Sequence, residues 1–213
     1  MRRLVPIALA VVLAGCGGSK KAEQSATTAN GCRSVDAPPA KDNGGQKPPA
    51  RPLDPKTTYL LTVQTNCGTF SIALDQKLAP RTTASLVSLT RAGFFDHTVF
   101  HRIVPGFVIQ GGDPTGSGTG GPGYSTHDKP PKNARYTRGV VAMAKTQSEP
   151  PGTAGSQFYV VTGADIGLPP EYAIVGEVAK GLGVVDRIGK LGDASEQPTQ
   201  TVEIEKVYLG VAP

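Results

Sequence analysis

Hydrophobic and polar residues alternate with a period of two in the first well-patterned part of the chain. Tyr59-Leu60-Leu61-Thr62-Val63-Gln64-Thr65 reads as a strand. Phe70, Ile72 and Leu74 then alternate with Thr69, Ser71 and Ala73, and Asn66-Cys67-Gly68 supplies turn chemistry, so the two runs predict a hairpin. The period then changes. Ala79-Pro80-Arg81 opens a helix with proline in its first turn, Leu86, Val87 and Leu89 form its apolar side, and Gly93 is its terminator. Downstream, Val140–Ala144, Phe158–Val161 and Tyr172–Gly176 are short apolar runs that predict strands. Val184, Ile188 and Leu191 fall at helical spacing and predict a second helix. Val202, Ile204, Val207 and Leu209 suggest a closing strand. Residues 114–138 are rich in Gly and Pro; a loop of that length points to function rather than mere connection.

One segment does not fit a plain core strand. Phe100-His101-Arg102-Ile103-Val104-Pro105-Gly106-Phe107-Val108-Ile109-Gln110-Gly111-Gly112-Asp113 places an arginine and a glutamine among apolar and glycine residues on what should be a single strand. Pro105-Gly106 interrupts its alternation, so the facing of Phe107 and Gln110 relative to Arg102 is open. A cation in so apolar a stretch needs a partner or a purpose.

Composition sharpens the class. The 213 residues suit one domain with appendages, and 27 Gly, 19 Pro and no Trp favour a turn-rich β protein over a helical bundle. Many short strands with two helices suit a barrel or a sandwich equally.

The N-terminus reads as a targeting segment. Arg2 and Arg3 precede an apolar run, Leu4 to Ala14, too short to span a bilayer as a mature helix. Leu13-Ala14-Gly15-Cys16 resembles a bacterial lipobox, so residues 1–15 are expected to be removed and Cys16 lipidated. Cleavage would leave 20 Lys+Arg against 17 Asp+Glu, a net +3, too small and dispersed to imply a nucleic-acid partner. Residues 16–56, rich in Ser, Thr, Ala, Lys, Gly and Pro, are expected to be a flexible tether that buries little, with the folded domain at 57–213. The expected location is outside the cytoplasm, held to the bacterial cell membrane by the lipid. There the even pair Cys32 and Cys67 is expected to be bridged, with two free thiols as the alternative.

Phe100–Asp113, Gly118-Thr119-Gly120-Gly121, Gly139-Val140-Val141-Ala142-Met143-Ala144-Lys145 and Gly155-Ser156-Gln157-Phe158-Tyr159-Val160 together resemble, in order, the signature segments of the cyclophilin family of peptidyl-prolyl cis-trans isomerases. The likeness extends from about Thr57 to Val211. It implies a closed eight-stranded antiparallel β-barrel with a helix capping each end. It also implies an enzyme that needs no cofactor and acts on proline-containing polypeptides; separately, a monomer is expected. Arg102 matches the family's catalytic arginine and Gln110 its orienting glutamine. Phe107, Met143 and Leu168 are implied to form the proline pocket, with Tyr159 on its wall and Val108 beside it. His101 matches a pocket histidine that shapes and hydrogen-bonds rather than transfers a proton. Ala144, Lys145 and Gln157 match positions that bind the substrate backbone and the residue before proline.

Four departures from the family pattern bear on recognition. Lys145 stands where asparagine is frequent, Tyr159 where phenylalanine is usual, and Tyr172 where a second histidine sits. Gly167 replaces a rim tryptophan associated with tight cyclosporin binding, so weak cyclosporin binding is expected.

Other chemistries lack their signatures. His97, His101, His127 and the three cysteines show no metal-ligand spacing. No Ser-His-Asp order, P-loop or dinucleotide fingerprint stands out, and the glycine loop at 116–123 lacks the lysine and following helix of a phosphate cradle. Two readings remain: an isomerase assisting exported proteins, and a module that holds proline-containing segments with little turnover.

Overall fold

A computed structural model of the protein describes residues 30–212. The expected signal segment, residues 1–15, and Cys16 lie outside the described residues. The period-two pattern forms β1 (Thr58–Thr65) and β2 (Gly68–Leu74), paired antiparallel, with Tyr59, Leu61 and Val63 directed into the core. Helix α1 (Pro80–Arg91) has Pro80 in its first turn, where its missing N–H costs nothing. It ends as the sequence predicts: Gly93 adopts φ 65° and Phe94 N–H returns to Leu89 O at 3.0 Å.

The signature segment is a hairpin, not a single strand. After β3 (Thr98–Val99), β4 (Arg102–Val104) turns back into β5 (Val108–Gly111). Pro105-Gly106 makes the turn: Gly106 holds φ 71°, and Phe107 N–H bonds Val104 O at 3.0 Å. The rest of the chain adds β6 (Thr126–His127), β7 (Val140–Met143), β8 (Thr153–Ala154), β9 (Phe158–Val161), β10 (Ile174–Lys180), α2 (Leu182–Ile188) and β11 (Glu203–Ala212). Helix α2 is shorter than the spacing of Val184, Ile188 and Leu191 suggests. Gly189 ends it, and Leu191 enters the core from the turn that follows.

Nine strands form one curled sheet in the order β3-β11-β1-β2-β10-β7-β9-β5-β4, while β6 and β8 pair separately. The expected closed eight-stranded barrel is therefore corrected to a mainly β half-barrel with two helices. Its two edges are β3 and β4, and no ladder joins them among the described residues; an isolated bridge links Val99 in β3 to Asp113, just past β5. The concave side holds the main core, including Phe70, Phe95, Phe100, Ile103, Ile109 and Met143.

Residues 30–56 are not a loose tether where they are described. They form a strap along the domain. Cys32 is fully buried and bridged to Cys67. Arg33 N–H bonds Asn66 O at 2.8 Å, and Asn66 Nδ2 returns a bond to Arg33 O at 2.7 Å. Lys41 Nζ donates to three carbonyls, Gly93 O, Phe94 O and Asp96 O, at 2.8–3.0 Å. These carbonyls follow the end of α1, where a cation is favoured. Composition misleads here because the strap is held mainly by hydrogen bonds and one disulfide, with Leu53 its one large apolar side chain packed on the core.

Candidate active site

Strand register builds the site. Arg102 opposes Gln110 in the β4–β5 pair, Gln110 opposes Tyr159 in β5–β9, and Tyr159 opposes Ala142 in β7–β9. Opposed residues point to the same side of a sheet, so Arg102, Gln110, Tyr159 and Ala142 form one row on the convex face. Ile103, Ile109, Val160 and Val141 form the next row, on the core face. The hairpin turn thus returns Val108 and Gln110 to the face of Arg102.

Beside this row lies a second apolar cluster. Val108, Tyr136, Val140, Ala142, Tyr159 and Val161 are buried, and Phe107, Ala144, Ile166, Leu168, Tyr172 and Ile174 pack against them, partly open. Phe107, Val108, Leu168, Tyr159 and Tyr172 are therefore gathered as the resemblance implies. Met143 is not. It opposes Phe158, is fully buried, and packs in the main core behind the sheet. Alternation along β7 decides this: Val140 and Ala142 face the site, and Val141 and Met143 face away.

Polar groups run from the arginine in a file. Arg102 Nη1 donates to Gln110 Oε1 over a long 3.4 Å, and Gln110 Nε2 donates to Gln157 Oε1 at 3.0 Å. Gln157 Nε2 donates to Gly118 O and Gly120 O at 3.0 and 2.9 Å. Arg102 Nε also bonds Glu196 Oε2 at 2.6 Å. Glu196 sits at φ 65° in the loop before β11, and no feature of the sequence pointed to it.

Gln110, Gln157, Ala144 and Lys145, with the glycine loop, line a cavity of about 310 Å³ next to the apolar cluster. The Lys145 side chain is 3% exposed. Its ammonium donates to Thr146 O and Glu149 O, pairs with Glu171 at 3.2 Å, and lies 5.4 Å from the Tyr172 ring centroid. The lysine is thus committed to the protein, and its side chain braces the rim.

Asp113, the last residue of the signature, organises the glycine loop. Its buried carboxylate accepts N–H bonds from Thr115, Gly118 and Gly120 and the Thr115 hydroxyl. Burial alone would raise its pKa, but these bonds outweigh it and hold the carboxyl below its usual range. A Cβ at Gly120 would stand 2.1 Å from Asp113 Oδ1, so the loop can wrap the carboxylate only with glycine there.

His101 lies under this loop with neither ring nitrogen hydrogen-bonded among the described residues. Burial lowers its pKa, Asp113 opposes that shift, and Arg102 adds to it. Tyr136, which no motif in the sequence marks, is fully buried; its hydroxyl donates to Tyr172 O and accepts from Tyr172 N–H, and burial pushes its pKa up to about 12. Tyr159 is also buried, its hydroxyl lacks a partner among the described residues, and its pKa is likewise raised by burial. Gly167 is on the rim at φ 64°, with open space where a side chain would project.

A curled mainly-β sheet with two helices, carrying an arginine–glutamine row beside an apolar cluster, defines the class. The family model described as cyclophilin type peptidyl-prolyl cis-trans isomerase/CLD matches residues 60–209. The chain is 38% identical over 174 residues to peptidyl-prolyl cis-trans isomerase A of Mycobacterium tuberculosis, covering 73% of this chain and 94% of that one. It is 36% identical over 159 residues to peptidyl-prolyl cis-trans isomerase-like 1 of Mus musculus, covering 72% and 92%. The solved cyclophilin of Cryptosporidium parvum, crystallised in the presence of the dipeptide Ala-Pro, superposes with a TM-score of 0.66 at 29% identity over 71% of this chain and 98% of that one. The chain belongs to the cyclophilin family. It is a peptidyl-prolyl cis-trans isomerase.

Proposed function

We propose that this isomerase accelerates X–Pro rotation in exported proteins, with Arg102 as the catalytic residue and Gln110 holding its orientation. Rotation about an X–Pro bond faces a barrier of about 20 kcal/mol from amide resonance, with no covalent bond to make or break. A catalyst needs only to favour the twisted amide over the planar one. Twisting pyramidalises the prolyl nitrogen and restores its lone pair. A guanidinium fixed over that nitrogen donates to it and weakens the double-bond character. The proline ring rests on Phe107, Leu168, Val108 and the edge of Tyr159. Gln157, His101 and the backbone of Ala144 and Lys145 receive the flanking chain.

The observation that carries this reading is the file Arg102–Gln110–Gln157 standing against the apolar cluster that includes Phe107 and Leu168. Cys16 lipidation would hold the monomeric enzyme at the outer side of the cell membrane, where newly exported chains with slow prolyl bonds pass.

NMR exchange or a protease-coupled assay on an Ala-Pro peptide tests the catalytic role. Arg102→Ala is expected to lower kcat/KM by at least about tenfold with the fold retained, a loss typical of one preorganised donor. A folded Arg102→Ala protein with wild-type turnover would refute it. Intact-mass analysis of protein recovered from bacterial membranes tests the anchor: a diacylglycerol mass on Cys16 is expected, and an unmodified cysteine overturns it.

A further inference from the structure

The strap touches the active site through the glycine loop. Lys41 N–H donates to Pro114 O at 2.8 Å, just before the loop. At the far end Gly121 N–H donates to Asn43 Oδ1 at 2.9 Å, Gly44 N–H returns a bond to Gly121 O at 2.9 Å, and Gln46 N–H donates to Pro122 O at 3.0 Å. The two backbones are close: a Cβ on Gly123 would come within 3.0 Å of Gly44 Cα. Both ends of the loop are thus clasped from outside, while Asp113 ties its middle from within. The loop in turn presents Gly118 O and Gly120 O to Gln157, whose amide fixes Gln110 beside Arg102. The clasp itself is anchored on either side, by the Lys41 ammonium on the carbonyls after α1 and by the buried Cys32–Cys67 bridge.

We propose that Asn43 and Lys41 are positioning residues for isomerisation: by clasping the glycine loop they set the Gln157–Gln110 file and so the aim of the Arg102 guanidinium. The proposal rests on Arg102 being the catalytic donor. Neither strap residue lines the apolar cluster or the adjoining cavity, so a substrate contact does not account for an effect. A loosened clasp leaves the proline pocket intact and lets the arginine wander, which lowers turnover more than affinity.

The test compares the full chain carrying Asn43→Ala, the pair Lys41→Met with Asn43→Ala, and Asn43→Asp, whose carboxylate still accepts from Gly121 N–H. Turnover and KM on an Ala-Pro peptide are read by NMR exchange, together with the side-chain amide signals of Gln157 and Gln110 and the Tm. The double variant is expected to lose about fivefold in kcat with KM within about twofold, and the Gln157 amide signals to shift or broaden. Asn43→Ala alone is expected to lose about twofold, and Asn43→Asp to keep the wild-type rate. Unchanged kcat in a folded double variant whose Gly121 amide signal shows the clasp open overturns the proposal. If the double variant does not fold, equal kcat in Asn43→Ala and Asn43→Asp overturns it. An Arg102→Ala protein with full activity would instead remove the catalytic assignment, which separates the two failures.

Discussion

Arg102 Nε and Glu196 Oε2 stand 2.6 Å apart although 94 residues separate them in the chain. The pair leaves one edge of the guanidinium on Glu196 and directs Nη1 toward Gln110. Because the Arg102 side chain is 32% exposed and that of Glu196 49%, the pair contributes little to stability, about 0.2–1 kcal/mol. Its effect is on aim.

Glu196→Ala is therefore expected to leave the Tm nearly unchanged and to lower kcat/KM about threefold to tenfold, since an oriented donor loses its second anchor. Peptide assays at matched salt check this. An unchanged rate would reduce Glu196 to a surface contact.

Protonating His101 is expected to destabilise the fold. Its folded pKa lies below the usual 6.5, because burial penalises the imidazolium and Arg102 opposes it more weakly, while Asp113 favours it. The folded state then binds fewer protons than the unfolded chain, so this contribution is full above pH 6.5 and is lost as pH falls through the folded value. Denaturant midpoints between pH 7.5 and 5 should fall for the wild type and fall less for His101→Gln. A wild-type midpoint that rises on acidification contradicts the sign.

Removing the Tyr159 hydroxyl should stabilise the protein. An unpaired buried hydroxyl costs about 1–3 kcal/mol, and Tyr159→Phe keeps the ring and its edge contacts to Tyr172. An increase of roughly 2–4 °C in Tm per kcal/mol recovered is expected for a domain of this size. A lower Tm in Tyr159→Phe would mean that the hydroxyl has a partner in solution.

Cyclosporin should bind weakly, because the rim at Gly167 offers no side chain to cover a bound macrocycle. Titration against isomerase activity checks it: micromolar or weaker inhibition is expected, and nanomolar inhibition would show that other rim residues suffice.

Much of this molecule was legible in its residues. Alternation in Tyr59–Leu74 and the Pro80 and Gly93 punctuation of α1 are local signals, set by side-chain period and backbone sterics within a few residues. The ordered signature around Arg102, Phe107, Gln110 and Gln157 named the family, and the even cysteine pair pointed to the bridge at Cys32 and Cys67.

Tertiary structure decided what depends on register and on distant partners. Pro105-Gly106 could break a strand or fold it back, and only pairing of Arg102 with Gln110 shows the hairpin. Met143 belongs to the core because β7 presents alternate residues to opposite sides, a phase that its run of five apolar residues conceals. Glu196 meets Arg102, and Asn43 meets Gly121, across chain separations over which no sequence period extends. The strap's composition resembles a free linker, because backbone bonds to a neighbouring loop leave no trace in side-chain polarity. Local period and punctuation thus set the first hairpin, α1 and the family signature; the folded sheet set which of the signature's side chains face one another.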